Sequence, residues 1–196
     1  MNRLLALAAA ALVVVALAGC SNDPLAEQYS EGSGQGYVSG DGAYTEIAAA
    51  DRGATIDYTG TTEAGDNVSN ADFDNQVYVI NFWYAGCPPC RLEAKDLKDV
   101  SEKYSDVPFL GVNIFDTSDQ AITFEKKYEI TYPSIIDART NSVQLAFAGQ
   151  GAVAPNAVPT TLIMDREGRV AGRISGLIQD KGILTAMIDK VLAEDD

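Results

Sequence analysis

Residues 77–92 read VYVINFWYAGCPPCRL. The first seven are almost all apolar and rich in β-branched and aromatic side chains, which predicts a central strand buried on both faces. The amphipathic pattern after Cys90 predicts a helix. Two cysteines, Cys87 and Cys90, therefore lie where a buried strand becomes a helix.

This junction suits a cysteine thiolate. The first turn of a helix offers unpaired N–H groups and the positive end of the helix dipole, and both favour negative charge. Cys87 gains most from this position and is the predicted attacking cysteine. Cys90 points back beneath Cys87 and is the predicted resolving cysteine, which closes the disulfide. Pro88 and Pro89 are compatible with a first helical turn and stiffen the loop between the two sulfur atoms.

Three other uses of the pair are a structural disulfide, half of a zinc site and two unrelated buried cysteines. Zinc needs further ligands, but the chain has no histidine and only one other cysteine, Cys20, so no metal is expected. A structural bridge across so short a loop would gain little from chain entropy. Redox use is therefore favoured, with no cofactor beyond a Cys87–Cys90 disulfide.

Residues 1–19 are the predicted export signal. A basic start precedes an apolar run from Leu4 to Ala18, which at 15 residues is shorter than the roughly 18 residues expected of a spanning helix. Leu17-Ala18-Gly19-Cys20 resembles a bacterial lipobox. That resemblance implies cleavage before Cys20 and lipidation of its side chain, so that it anchors the protein and takes no part in redox chemistry. A cleaved secretory signal with an incidental cysteine is the alternative.

The remaining chain divides into a predicted tether and a predicted globular domain. Residues 20–53 are rich in Gly, Ser, Asp and Ala, which is typical of a flexible, solvated segment. Residues 54–196 are the predicted domain. The net charge of −14 excludes nucleic acid as an expected partner, because an acidic surface repels phosphates.

The strands and helices predicted for this domain begin with an edge hairpin within residues 55–66. The central strand, the helix after the cysteines and a buried strand at residues 109–114 follow. Together they predict a right-handed crossover with parallel strands. The residues expected on the buried face of the helix are Leu92, Leu97, Val100 and Tyr104.

An inserted helix and strand come next. Ser118 is the predicted N-cap of the helix, and residues 132–137 are the predicted strand. A short helix and a loop over residues 149–159 lead to an antiparallel hairpin formed by residues 160–164 and 169–174. An amphipathic helix closes the chain.

Two motifs in this order resemble the thioredoxin fold: Asn81-Phe82-Trp83 before the cysteine pair, and Val158-Pro159-Thr160 before the late hairpin. The αβ insertion, the lipobox and Cys90-Arg91-Leu92-Glu93 resemble more narrowly the TlpA/ResA-like group of membrane-tethered thiol-disulfide oxidoreductases. The resemblance covers about residues 55–193. It implies an α/β thioredoxin fold, a central mixed sheet flanked by helices, with an inserted αβ element and an N-terminal edge hairpin.

The resemblance also implies a substrate-binding surface beside the cysteine pair. In that family the proline that matches Pro159 is cis and lies against the two cysteines, where the preceding backbone pairs with the substrate peptide. A proline that only ends the loop is the alternative. The implied substrate-binding residues are Trp83, Pro88, Val158 and Pro159.

Glu93 joins Cys87 and Cys90 as an implied catalytic residue. Asn81 stands where thioredoxins usually carry a buried acid, and it cannot accept a proton. A spacing of three on a helix puts Glu93 on the same side as Cys90, where it can take the Cys90 proton. An ordinary surface carboxylate in an early helical turn is the alternative. Gly86 is a second departure, since many relatives have tryptophan there, and we expect it to open the surface beside Cys87.

The implied function is thiol-disulfide exchange at the extracytoplasmic face of a bacterial cell membrane. Expected partners are exported cysteine-containing proteins, such as apocytochrome c, and a membrane dithiol that donates electrons. No histidine lies between the cysteines to push the couple toward oxidation, so a reductase is expected. The alternatives are an oxidant or isomerase for secreted proteins and a non-enzymatic tethered binding module. A peroxidase of this fold calls for threonine where this chain has Tyr84, and a copper carrier would need histidine.

Overall fold

The computed structural model describes residues 43–149 and 157–194. The predicted signal, the predicted lipid anchor at Cys20, residues 20–42 of the predicted tether and most of the loop before the late hairpin lie outside the described residues.

A six-stranded mixed sheet forms the centre of the described part of the chain. Its strands are β1 (Ala43–Glu46), β4 (Tyr78–Trp83), β5 (Phe109–Asn113), β6 (Ser134–Ile136), β7 (Thr160–Met164) and β8 (Val170–Ser175), while β2 (Thr59–Thr61) and β3 (Asn67–Ser69) form a separate hairpin. The spatial order in the large sheet is β1-β8-β7-β4-β5-β6. Strands β4, β5 and β6 run parallel, and the other pairs are antiparallel. The parallel crossover and the late hairpin are thus confirmed.

The α-helices of the described ranges are α1 (Pro88–Lys103), α2 (Ser118–Tyr128), α3 (Ser142–Gly149) and α4 (Lys181–Leu192). They cover two apolar cores, one on each face of the sheet. Strand β4 contributes to both, because Val79 faces one core while Ile80 and Phe82 face the other. A strand buried on both faces reads as the continuous apolar run seen in the sequence. Within the described ranges, none of the helices has the length and apolar content that a membrane crossing requires.

The folded domain begins earlier than the predicted boundary at residue 54. Strand β1 pairs with β8 in an antiparallel register from Ala43↔Ser175 to Glu46↔Gly172, so the last part of the predicted tether is sheet edge. Composition concealed it because a four-residue edge strand buries little apolar surface; Tyr44 is exposed.

The predicted edge hairpin is present, but it starts later than expected. Ile56 and Tyr58 are buried in the core ahead of β2, and Gly60 lies inside the strand. The hairpin does not join the large sheet through β4. A single antiparallel bridge from Thr62 to Ile135 attaches it beside β6.

Leu92 was predicted on the buried face of α1, and this prediction is wrong: 69% of the residue is exposed. The buried face runs through Cys90, Glu93, Leu97 and Val100, at the three-to-four-residue spacing of one helix side. Leu92 precedes Glu93 and falls outside that row, so a carboxylate occupies the buried position instead.

The start of α2 also differs from the prediction. Thr117 is the N-cap in place of Ser118, and its side chain accepts a hydrogen bond from the backbone N–H of Gln120. The Gln120 side chain returns a bond to the backbone N–H of Thr117. This reciprocal capping box selects Thr117, because its partner glutamine lies three residues further on.

Candidate active site

Cys87 and Cys90 form a disulfide at the start of α1, with their Cα atoms 5.3 Å apart. Cys87 is the N-cap residue, and its Sγ accepts a hydrogen bond from the Cys90 backbone N–H at 3.2 Å. Pro88 and Pro89 occupy the first two helical positions, as predicted. After reduction, a Cys87 thiolate would therefore meet an N–H donor and the positive end of the helix dipole.

The pair is closed off from solvent in this structure. Cys87 is 0% exposed, so the opening expected beside Gly86 is not observed. The Tyr84 ring occupies that side: a Cβ atom on Gly86 would lie 2.8 Å from Tyr84 Cε2. Tyr84 in turn packs edge-to-face on Phe115, with 5.0 Å between ring centroids. A partner disulfide can reach Cys87 only after a local movement of its neighbours.

Pro159 lies at the same end of the sheet as the cysteine loop. The β4–β7 register pairs Phe82 with Thr160, which places Pro159 next to the end of β4, where the chain turns toward Cys87. The Val158–Pro159 peptide bond is cis, as the resemblance implies. Val158 and Pro159 are both buried, and pairing of this backbone with a substrate peptide stays a prediction.

The predicted substrate residues Trp83 and Pro88 lie in different surroundings. Pro88 is exposed on the first turn of α1. Trp83 is 4% exposed, packs on Phe124 with 4.4 Å between ring centroids and donates a hydrogen bond from Nε1 to Ser134 Oγ at 3.3 Å. Its position in the interior does not support the predicted substrate contact, because the ring fills space beneath the site.

Glu93 is 1% exposed, which rules out the alternative of a surface carboxylate. Both carboxyl oxygens accept hydrogen bonds: Oε1 from Asn81 Nδ2 at 3.0 Å and Oε2 from the Ile178 backbone N–H at 3.1 Å. Burial raises the pKa of Glu93 to about 8, although those two donors lower it in part. A carboxyl group with such a pKa can exchange protons near neutral pH, one helical turn after Cys90.

Asn81 has a role that the sequence reasoning missed. Its Nδ2 donates to Glu93 and also to Thr161 Oγ1 at 3.0 Å, so it fixes the carboxyl group from a neighbouring strand. The signal was available in the sequence, since a polar residue in the middle of a strand buried on both faces needs a polar partner. Sequence could not show that this partner is Glu93.

Within residues 43–149 and 157–194, no group of three or more His, Cys, Asp or Glu side chains is arranged to hold a metal ion. The chemistry available at the site is that of the two sulfur atoms and the buried carboxyl group.

Sulfur chemistry of this kind, on a mixed sheet of this strand order, defines a class: the thiol-disulfide oxidoreductases with a thioredoxin fold. The chain belongs to the AhpC/TSA family, whose family model matches residues 53–173.

Individual relatives agree with the class. The chain is 32% identical over 120 residues to the thiol:disulfide interchange protein HelX of Rhodobacter capsulatus, an alignment that covers 61% of this chain and 63% of the length of HelX. It is 26% identical over 129 residues to the thiol-disulfide oxidoreductase ResA of Bacillus cereus, covering 65% and 70% of the two chains. These relatives confirm the TlpA/ResA-like resemblance.

A solved structure agrees as well. The crystal structure of a secreted thiol-disulfide isomerase from Corynebacterium glutamicum superposes with a TM-score of 0.65 at 29% identity, covering 77% of this chain and 95% of that one.

Proposed function

We propose that this protein is a lipid-anchored, extracytoplasmic reductase that acts on disulfides of exported proteins. The observation that carries the proposal is the Cys87–Cys90 disulfide at the N-terminus of α1. A disulfide there can be reduced to a dithiol whose first member is stabilised as a thiolate, which is the reactive form in disulfide exchange.

The proposed reaction has two steps. The Cys87 thiolate attacks one sulfur of a partner disulfide, so that a mixed disulfide forms and the other partner sulfur leaves as a thiolate. Cys90 then loses its proton and attacks Cys87 Sγ, which forms the Cys87–Cys90 disulfide and releases the second partner sulfur. The partner gains two electrons, and a membrane dithiol supplies two electrons to restore the enzyme.

The neighbouring residues have proposed roles in these steps. Glu93, buried one turn after Cys90, accepts the proton that Cys90 gives up. Pro88 and the backbone at Val158 and Pro159 contact the partner peptide after the local opening that exposes Cys87. The support for this surface is the place of Pro159 next to the end of β4, beside the cysteine loop.

The experiment that tests the direction of electron flow is the reduction potential of the Cys87/Cys90 couple, measured by equilibration with glutathione and dithiothreitol buffers. A value near or below about −230 mV, close to thioredoxin, would support a reductase. A value near about −120 mV would assign the chain to oxidation or isomerisation of secreted proteins. The second outcome has one observation in its favour, which is the isomerase name of the Corynebacterium glutamicum relative.

The proposed substrate class includes apocytochrome c, and its test is reduction of an oxidised Cys-x-x-Cys-His peptide. The TlpA/ResA-like resemblance supports this substrate. Turnover of this peptide well above that of insulin would favour a role in cytochrome c maturation. Failure to reduce either substrate would leave a non-enzymatic binding module.

Anchoring through Cys20 rests on the lipobox resemblance. Its test is the incorporation of an alkyne-labelled fatty acid by the wild-type chain and by Cys20→Ser. Label in the wild type alone, together with release of the variant from the membrane fraction, is the expected outcome. Equal behaviour of the two chains would contradict the anchor.

A further inference from the structure

A small cavity lies against the inner side of Cys90. Its volume is about 10 Å³, which is room for about one water molecule. The polar residues that line it, beside Cys90, are Asn81, Trp83, Tyr132 and Ser134. A water molecule there would find the two to four polar partners that buried waters require.

Ser134 is buried and links this cavity to the side chain of Glu125. A hydroxyl group offers one donor and two acceptor sites, and Trp83 Nε1 fills one acceptor site. The hydroxyl hydrogen is donated to the Glu125 side chain, and the second acceptor site can take a hydrogen bond from a water molecule in the cavity. The backbone leaves room for this arrangement: a Cβ atom on Gly111 would collide with Ser134 Oγ and lie 2.7 Å from Trp83 Nε1.

Glu125 lies on the other side of Ser134. It belongs to α2, is 8% exposed, and its Oε1 is buried with no hydrogen-bond partner among the described residues. Burial raises the pKa of Glu125 to about 7; the Ser134 hydroxyl lowers it in part, and Glu63 raises it. Because the Ser134 bond leaves Oε1 without a partner, this second oxygen is the one that can pass a proton onward.

Glu125 also lines a pocket of about 350 Å³ at the protein surface, next to the exposed side chains of Lys126 and Glu129. Ile130 borders both this pocket and the inner cavity. A proton on Glu125 therefore has an exit to solvent that does not pass the cysteines.

We infer that Ser134 and Glu125 form a second proton route for Cys90, separate from the Glu93 route. The inference rests on the proposed function, because the route matters only if Cys90 resolves a mixed disulfide. Glu93 has both oxygens engaged by Asn81 and Ile178, whereas Oε1 of Glu125 is unengaged. The two carboxyl groups thus serve the same sulfur from different directions.

The proton balance of the route is as follows. The Cys90 thiol passes its proton to the cavity water as its sulfur bonds to Cys87 and the partner leaves as a thiolate. The water passes a proton to Ser134 Oγ, and the Ser134 hydroxyl passes its own proton to the Glu125 carboxylate. In the reverse reaction each transfer runs backwards, and Cys90 is reprotonated as the disulfide opens.

Several charged or titratable groups surround this route and must be separated from it. Glu63 accepts a hydrogen bond from the Ser134 backbone N–H at 2.8 Å. Burial raises the pKa of Tyr132, and the negative charges of Glu93 and Glu125 raise it further. Among the described residues these groups are Glu63 from the β2–β3 hairpin, Glu93, Asp96 and Lys98 from α1, Lys126 and Glu129 from the end of α2, and Tyr132. Glu129 is the matched control, because it lines the same outer pocket but is exposed.

The test uses the full-length chain with Cys20→Ser, reduced and mixed with Ellman's reagent. A first release of thionitrobenzoate reports attack by Cys87, and a second release reports resolution by Cys90. We expect Glu125→Gln to slow only the second phase, about tenfold at pH 8, and to remove a titration near pH 7 from its pH profile. A general base contributes about 10²–10⁴-fold, and Glu93 retains part of that effect.

Three further variants extend the test, and Ser134→Ala keeps it decisive if Glu125→Gln folds poorly. Ser134→Ala is expected to give the same change in the second phase, and adding Glu125→Gln to it is expected to slow that phase no further. Glu129→Gln is expected to match the parent chain. Equal slowing of both phases, an unchanged profile, or the same loss in Glu129→Gln would overturn the route. A parent chain that shows no second phase would instead refute the proposed function.

Discussion

Glu93 and Asp165 are both almost fully buried carboxylic acids, at 1% and 3% exposure, and they lie near opposite ends of strand β7. Among the described residues, the groups that donate to the Glu93 carboxyl are neutral: the Asn81 amide, itself bonded to Thr161 in β7, and the Ile178 backbone N–H. Asp165 follows β7 directly and accepts hydrogen bonds from two guanidinium groups, those of Arg52 at 3.0 Å and Arg169 at 2.8 Å.

The difference separates a structural carboxylate from a reactive one. Arg52 also donates to Glu194 Oε2 at 2.7 Å and to the Ile47 carbonyl oxygen at 3.1 Å. Asp165 therefore belongs to a hydrogen-bonded network centred on Arg52, here called the clasp. The clasp joins residues 43–52, here called the N-terminal segment, to the β7–β8 turn and to Glu194 after α4. Cations compensate a buried negative charge. Within the described part of the chain no cation donates a hydrogen bond to Glu93, and burial raises its pKa to about 8. Only the arrangement around Glu93 suits proton transfer.

The largest effect is expected when the sulfur atom that Glu93 is proposed to serve, that of Cys90, is removed. Cys90→Ser should lower multiple-turnover reduction of insulin to the uncatalysed rate, because the mixed disulfide on Cys87 then has no resolving thiol. Intact-mass measurement should show the partner trapped on Cys87. Cys20→Ser is the control and should turn over normally. Full turnover by Cys90→Ser would contradict the assigned roles of both cysteines.

The next largest effect is expected at the structural end. Arg52→Ala leaves Asp165 without one cation and removes the clasp from the N-terminal segment. Loss of one partner from a buried ion pair costs about 3–5 kcal/mol of unfolding free energy when the other charge is left uncompensated. Arg169 still compensates Asp165 in this variant, so the expected loss for side chains that are only 2% and 4% exposed is about 1.5–3 kcal/mol, the contribution of a hydrogen bond to a charged group. Urea denaturation measures the loss. Activity per folded molecule should stay unchanged, and a loss below about 1 kcal/mol would show that the clasp is not structural.

Glu93→Gln tests the reactive carboxyl group through the pH dependence of the unfolding free energy. The pKa of Glu93 is about 8 in the folded chain, above its ordinary value of 4.5, so the folded state binds more protons between these limits. The contribution of Glu93 to stability is then complete below pH 4.5 and falls by up to about 1.4 kcal/mol per pH unit until pH 8. Glu93→Gln should remove that decline and be more stable than the wild type at pH 9.

Urea denaturation from pH 5 to pH 9 checks this expectation, with the exposed Glu102→Gln on the same helix as the control. Asn81 can rotate its amide to present an oxygen to the new glutamine, so the hydrogen-bond network survives the substitution. Parallel slopes in the wild type and Glu93→Gln would show that the carboxyl group is ionised in both the folded and unfolded states.

The sequence was sufficient for the features that leave a periodic or motif signal. The all-apolar run of β4, the cysteine pair at its end and the residues flanking the turn before β8 each have a local cause, so their type and order were predictable. The place of Pro159 beside the cysteines followed from family resemblance. The residues that lie next to Pro159 are set by the β4–β7 register, and a register between distant strands cannot be predicted from a local sequence pattern.

What the sequence could not supply depends on contacts between distant segments. Leu92 and Glu93 are adjacent, and hydropathy alone assigns the leucine to the interior. In the structure Glu93 is the buried residue, because Asn81 and Ile178 supply hydrogen bonds to its carboxyl group. Strand β1 was likewise hidden, because the strand with which it pairs in the described part of the chain is β8, more than 120 residues away. A short polar edge strand and a polar linker have the same composition.

The smallest effect is expected at a second link between the N-terminal segment and α4. Lys190 Nζ lies 2.5 Å from Glu46 Oε2, but the two side chains are 58% and 40% exposed. Exposed pairs contribute about 0–1 kcal/mol, since water screens the charges and ordering two long side chains costs entropy. Lys190→Ala should therefore change the unfolding free energy by less than about 1 kcal/mol, and a double-mutant cycle with Glu46→Ala should give a coupling of the same small size.

Because this link and the Arg52 clasp join the same two segments, the contrast isolates burial as the cause of the difference. A coupling as large as the loss in Arg52→Ala would show that proximity of the segments, and not burial of the ion pair, determines the stability of this end of the domain.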